Sequence, residues 1–331
     1  MKAAVLNKKN EDLEIKEVPM PEIDEDDVLV KVKYAGVNPL DNMIVREEVK
    51  LITPYKYSLV MGNEFSGIVE KTGSSVTDFT EGDRVYARMP LNKIGAFAEY
   101  VAINKYAIAK IPDYLKFDEA ACVPLTALTA IQAFELMNPS KGEIIFISGG
   151  TGSLGAMAIP IAKDLGLHII TSGSEKNRQR VMDFGVSEFI DYKTQDYSEI
   201  LSDVDYVLDT LGESELEKEF KILKPGGILV SLKSLPNEEF AKRMGLSTVK
   251  KLLFKFAGRK FDKLASKKNQ KYYFLFVESN GKQLEQVSRI FEEKNINPSI
   301  DTVFEFHDVN KSMDKVDKGG SKGKTLIKIG D

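Results

Sequence analysis

Apolar and polar residues alternate with period two through Leu29-Val30-Lys31-Val32-Lys33-Tyr34, the mark of a strand with one buried face. Ser66–Lys71 and Asp83–Ala87 are shorter runs of the same kind, and Pro19-Met20-Pro21, Thr72-Gly73-Ser74-Ser75 and Glu81-Gly82-Asp83 punctuate them. Residues 1–110 therefore read as a small barrel-like β domain. The pattern changes after Ile111-Pro112-Asp113. Phe117–Phe134 predicts a helix, with Asp118 and Glu119 in the first turn where the helix dipole favours anions. Strand cores with continuous apolar runs follow at Ile144–Ile147, Ile169–Thr171, Tyr206–Leu208 and Gly227–Ser231, alternating with helical stretches at 154–165, 175–184 and 213–223. Continuous apolar strands between helices predict a parallel sheet covered on both faces, a doubly wound α/β domain. Beyond about 270 the pattern returns to β, with one helix at 281–294 and a last strand at Lys324–Ile329. No internal repeat is visible.

The chain has 331 residues, 43% hydrophobic and 29% charged, enough for about two domains and too apolar for disorder. A formal charge of −4 gives no global field for a polyphosphate backbone and argues against nucleic acid as a partner. The lone cysteine, Cys122, forbids an intrachain disulfide, and Met-Lys-Ala-Ala-Val-Leu-Asn-Lys has no apolar core of a secretion signal, so a cytoplasmic location is expected. The most apolar stretch, Ala120–Phe134, is shorter than the roughly 20 residues of a membrane span. With only His168 and His307 beside Cys122, a zinc site built from several Cys and His ligands is out of reach.

Gly150-Thr151-Gly152-Ser153-Leu154-Gly155 follows the strand at 144–148 and opens an apolar helix. Glycines there let the backbone approach a pyrophosphate, and the helix N-terminus offers free N–H groups to the anion. An ordinary Gly-rich turn is the plainer alternative. About twenty residues on, where a carboxylate would bind the ribose hydroxyls of NAD, the chain reads Thr171-Ser172-Gly173-Ser174, followed by Glu175, Lys176 and Arg178. Hydroxyls and cations at that place point to NADPH, although Ser174 could simply cap the next helix. Leu211-Gly212 and Ser231–Ser234 end strands on the side where ligands bind in open α/β sheets.

Gly62-Asn63-Glu64-Phe65-Ser66-Gly67, Gly95-Ala96-Phe97-Ala98-Glu99-Tyr100 and Leu223-Lys224-Pro225-Gly226-Gly227, in a β, nucleotide, β order, resemble the medium-chain dehydrogenase/reductase superfamily. Gly36-Val37-Asn38-Pro39-Leu40-Asp41 and the run Ala120–Ala130 are similar to its zinc-free quinone oxidoreductase and enone reductase branch. The resemblance implies a GroES-like β-barrel domain formed by 1–118 and 270–331, a Rossmann domain at 119–269, and an active site in the cleft between them. Zinc alcohol dehydrogenases of the superfamily carry Cys and His ligands where Asn38 and Asn63 stand here. Without zinc to polarise an oxygen, hydride transfer from NADPH to a quinone or to the C=C bond of an α,β-unsaturated carbonyl is the expected activity. The rivals are a zinc-free alcohol or aldehyde reductase and an NADPH-binding sensor or interaction protein.

Carried over residue by residue, the resemblance places Asn38 and Thr129 at the nicotinamide, Thr151 to Leu154 at the pyrophosphate and Tyr192 at the adenosine 2′-phosphate. Phe274-Leu275-Phe276 would close over the nicotinamide from the returning β domain, and Lys324 would lie near the cofactor. These aromatics could equally be core, and Lys324 a solvated strand end. For the proton donor, Asp41, Tyr55 and Tyr57 are candidates, with bulk water as the alternative. Residues 240–271 hold eleven Lys or Arg against one acid, Asp262, leaving −14 on the remainder. They are expected to form a basic helical insertion, with one helix ending near Gly258, packed by its apolar faces. A membrane surface or an acidic partner is the alternative. A homodimer through edge pairing of the Rossmann sheet, as the branch often forms, is left open.

Overall fold

The computed structural model describes residues Met1–Gly330, which divide into two compact units: Met1–Leu128 with the chain from Glu278 onward, and Thr129–Val277. In the first unit the long strand Asp27–Val37 is the spine. Its alternation buries Val28, Val30 and Val32, a register shift between Val32 and Tyr34 then brings Ala35 inside, and its length lets it pair with Glu64–Thr72 along most of one side and with Tyr100–Asn104 and Lys324–Lys328 towards its two ends on the other. The seven-stranded sheet runs Ile300–Glu305, Lys324–Lys328, Asp27–Val37, Glu64–Thr72, Arg84–Arg88, Ile108–Lys110, with Tyr100–Asn104 attached to Asp27–Val37. A second sheet of three strands is centred on Lys2–Leu6.

The other unit holds six parallel strands in the order Glu188–Asp191, His168–Gly173, Ile144–Ile147, Val204–Asp209, Leu223–Ser231, Lys271–Phe274. Numbered along the chain this is 3-2-1-4-5-6, the doubly wound arrangement, whose direction reverses between Ile144–Ile147 and Val204–Asp209. Apolar runs on both sides of each strand account for it, since Ile145, Phe146, Ile147, Val207 and Leu208 are all fully buried.

Several expectations are corrected. The helix expected over 117–134 is two, Phe117–Ala121 and Pro124–Met137, because Pro124 lacks the N–H that would continue the first and suits the first turn of the second. Lys271–Phe274 pairs in parallel with Leu223–Ser231, so Phe274, Leu275 and Phe276 belong to the nucleotide-type unit and are buried in it rather than returning with the β domain. The chain re-enters the first unit at Glu278, not near 270, and leaves it at Leu128, not near 118. An aromatic β-forming run reads alike in either sheet. Leu223–Ser231 is an inner strand, and the edges of this sheet are Glu188–Asp191 and Lys271–Phe274. The basic segment forms Glu238–Arg243 and the 19-residue helix Thr248–Ser266, which runs straight through a buried Gly258. A further helix, Val309–Lys318, lies in the segment expected to be β.

Candidate functional site

Two clusters concentrate the chemistry, one in each unit. In the first, the register of the sheet sets Gly36 opposite Glu64 and Glu64 opposite Arg88. Gly36 has no side chain to fill the space above it. A Cβ there would sit 2.4 Å from Glu64 Oε1 and 2.9 Å from the Ala121 carbonyl, so the carboxylate of Glu64 folds over the glycine. From that position it accepts a hydrogen bond from Asn38 Nδ2 at 2.7 Å and one from the Leu125 backbone N–H at 2.8 Å, and it pairs with Lys324 Nζ. Lys324 Nζ also donates to Asn38 Oδ1 at 2.6 Å. Both polar atoms of Asn38 are thus committed, and Asn38, Glu64 and Lys324 are all buried.

Asp41 extends this network. It lies three residues into the chain beyond Asn38, where the helix Pro39–Val45 begins, and one oxygen accepts from the Asn38 N–H at 2.8 Å. The other accepts from Asn63 Nδ2 at 2.8 Å. Burial, against the lowering influence of Asn63 and the Asn38 N–H, pushes the Asp41 carboxyl up to about 7. Arg88 is wholly buried at the other end of the row. Its Nη1 donates to the Met89 carbonyl, and burial lowers it to about 10. Tyr55, half-buried, lies near Arg88, and burial raises its phenol above the ordinary value.

The structure thus brings Asn38, Asp41 and Lys324 together and leaves Tyr57 out. Tyr57 is exposed, and its hydroxyl donates to Glu47 at 2.8 Å. Tyr55 and Tyr57 line one pocket with Ile44, Val49 and Thr53. The sequence reading missed Glu64 and Arg88 as site residues. Each is a charge inside a strand, and only the cross-strand register reveals that they share a face.

In the second unit, the turn after Ile144–Ile147 is tied to the next strand. Gly150 N–H donates to Thr171 Oγ1 at 3.1 Å, and Thr171 Oγ1 donates to the Ile147 carbonyl at 2.7 Å. A Cβ on Gly155 would lie 1.9 Å from the Gly150 carbonyl oxygen, and one on Gly150 would lie 2.2 Å from Thr171 Oγ1. The turn closes only with glycine at both places. Gly152 then caps the helix Ser153–Asp164, whose first N–H groups have no intrahelical acceptor. This cradle fits a dinucleotide diphosphate, with Thr151, Ser153 and Leu154 supplying backbone to it.

Ser172 and Gly173 end the adjacent strand, and Ser174 stands at the following cap position without a side-chain capping bond. Lys176 is exposed and has no ion-pair partner among the described residues. Arg178 is engaged by Glu175 at 2.7 Å and lies over the Phe189 ring. Tyr192 is exposed, with its N–H on the Gly173 carbonyl at 3.2 Å. At the reversal point, Asp209 Oδ1 accepts from the Leu211 and Gly212 N–H groups, each at 2.8 Å, and Oδ2 accepts from Ser231 Oγ at 2.6 Å. Asp209 therefore holds together two strand ends the sequence singled out, although it was not itself foreseen. A buried acid ending the apolar run Val207-Leu208 is the signal that could have found it. Thr129 is buried in the helix Pro124–Met137.

The family model described as the alcohol dehydrogenase GroES-like domain matches residues 24–113, and the one described as zinc-binding dehydrogenase matches 184–327. The chain belongs to the medium-chain dehydrogenase/reductase superfamily. Among superfamily relatives, the NAD(P)H oxidoreductase RTN4IP1, mitochondrial, of Danio rerio is 29% identical over 326 residues, covering 92% of this chain and 84% of the relative. The 2-methylene-furan-3-one reductase of Solanum lycopersicum is 32% identical over 223 residues, 65% of this chain and 57% of that protein. The structure of the quinone oxidoreductase from Coxiella burnetii superposes with a TM-score of 0.83 at 25% identity, covering 100% of this chain and 99% of that one.

Zinc, which the second family description names, does not fit the residues of this superfamily member. Amides stand at 38 and 63, the Glu64 carboxylate already holds the Lys324 ammonium, and no group of three or more His, Cys, Asp or Glu gathers among the described residues. No described helix is long and apolar enough to cross a membrane.

Proposed function

We propose that the protein is an NADPH-dependent, zinc-independent reductase of activated acceptors, namely quinones or the C=C bond of α,β-unsaturated carbonyl compounds. The observation that carries this reading is the ammonium of Lys324 lodged between Glu64 and Asn38, a positive charge held at the one carboxylate of that trio. When bound, NADPH supplies a hydride from its nicotinamide ring and leaves as NADP⁺. Gly150 to Gly155 hold the diphosphate, and Ser172, Gly173, Ser174, Lys176 and Tyr192 take the adenosine 2′-phosphate, with Arg178 adding charge behind them. Thr129, Leu211, Gly212, Ser231, Phe274, Leu275 and Phe276 line the remainder of the nucleotide's path. Lys324, Glu64 and Asp41 fix Asn38 in one orientation. Tyr55, protonated throughout the neutral range and on the wall of a pocket, donates the proton that completes the addition of two hydrogens. Tyr57 plays no such part. The relatives named NAD(P)H oxidoreductase, 2-methylene-furan-3-one reductase and quinone oxidoreductase support the reaction class. A single buried cysteine suits a reducing compartment such as the cytoplasm, although the Danio rerio relative is named mitochondrial.

The test is NADPH oxidation by chelator-treated protein offered 1,4-benzoquinone, a small enone and its saturated ketone in parallel. Turnover with the quinone or the enone, and none with the ketone, is expected. Turnover with the ketone alone would replace this reading with an alcohol or aldehyde reductase.

A further inference from the structure

The helix Thr248–Ser266 carries two apolar faces, and only one of them is used by the fold. Phe254, Phe261 and Ala265 are buried, with Phe254 edge-on to Phe240 at 5.9 Å and Phe261 against Tyr272 at 5.3 Å. Roughly opposite, at the i, i+3, i+4, i+7 spacing of a helical stripe, stand Val249, Leu252, Leu253 and Phe256, exposed by 70%, 55%, 49% and 65%. Packing explains the first face and not the second. A contiguous exposed apolar patch rimmed by charge marks an interaction surface.

The rim is cationic. Lys255 and Lys260 have partial partners, in Glu238 at 3.4 Å and Glu217 at 3.3 Å. Lys250, Lys251, Arg259 and Lys263 have no ion-pair partner among the described residues. The segment 240–271 sums to +10 in a chain of −4. A second copy docking by the same face would set the helix's six Lys or Arg, offset only by Asp262, against the same six, which a two-fold contact cannot avoid. The patch also offers no directional polar group for a specific protein groove. It holds only aliphatic side chains and a phenylalanine beside flexible cations, a composition that suits a fluid anionic surface.

We propose that Thr248–Ser266 is a peripheral docking helix for anionic lipid bilayers. Val249, Leu252, Leu253 and Phe256 enter the headgroup region while the flanking cations meet lipid phosphates. The −14 carried by the rest of the chain is repelled by the same surface, which favours an approach with the basic segment 240–271 foremost. The inference is independent of the reductase reading.

The sequence contains no tryptophan, so Phe256→Trp installs a sole reporter at the tip of the patch. With vesicles of equal parts phosphatidylcholine and phosphatidylglycerol, its emission should shift to the blue, and the unsubstituted protein should co-sediment. With phosphatidylcholine alone both effects should be weak, and added salt should reverse them. Lys250→Gln and Lys251→Gln should each lower partitioning about five-fold, and Leu252→Ser with Leu253→Ser should abolish it. That double variant should keep its melting temperature and its turnover of a small water-soluble quinone. Failure to co-sediment with either vesicle would overturn the proposal and favour an acidic protein partner. Unchanged binding by the double variant, or a dimer in solution that Phe256→Ser dissociates, would overturn it as well.

Discussion

Burial takes the Asp41 carboxyl from an ordinary 3.8 to about 7, which gives the folded state a pH dependence of known sign. Below about pH 4 the group is protonated whether the chain is folded or not. Between about pH 4 and 7 the unfolded chain ionises while the folded one keeps its proton, so stability falls as pH rises, by roughly 4 kcal/mol in all, and then levels off. Asp41→Asn removes that titration. The urea-unfolding free energy of the parent minus that of the variant should fall from pH 4 to 7 and stay flat above; a constant difference would refute the assignment. The two tyrosines separate on similar grounds. Tyr55→Phe should lower kcat by about 10²-fold, the lower end of what a positioned proton donor contributes. Tyr57→Phe, losing only an exposed bond to Glu47, should change it less than about two-fold. Asn38 and Lys324 were legible through family resemblance, but their junction at Glu64 was not. Lys324 lies far from Glu64 in sequence, and no local pattern pairs them.

At the scale of elements, the strands with continuous apolar runs were legible in place and type, because burial on both faces leaves little freedom of composition, although Leu223–Ser231 begins four residues before its apolar run. Boundaries set by tertiary partners were less so. Lys271–Phe274 carries the same β-forming signal for either sheet, and Gly258 reads as a helix end until Asn237 is seen packed against it. The glycine turn was legible as motif and is specific as geometry. Gly155→Ala drives a Cβ into the Gly150 carbonyl, backbone against backbone, so the turn must open. A stability loss of about 1–3 kcal/mol and at least ten-fold weaker binding of both NADPH and NADH are expected by thermal unfolding and nucleotide titration. Lys176→Glu should act differently. It leaves the turn intact and opposes a phosphate, so NADPH binding should weaken ten-fold or more while NADH binding stays unchanged. Equal losses for the two nucleotides would remove Lys176 from the phosphate site.

For the whole molecule, composition limits the metal chemistry open to the chain. Two histidines and one cysteine make a several-ligand Cys/His zinc site impossible, and the ammonium of Lys324 takes up the charge that Glu64 would otherwise present. Prolonged exposure to excess chelator should therefore leave both melting temperature and turnover unaltered, and loss of either would point to a metal. The single cysteine has one more consequence. Quinones and enones are electrophiles that add to thiolates, and an enzyme turning them over bathes in its own alkylating agents. Cys122 is 3% exposed, and burial pushes its thiol well above the ordinary range, so almost no thiolate is offered. Such a chain can work at high electrophile concentration without arylating itself at sulfur.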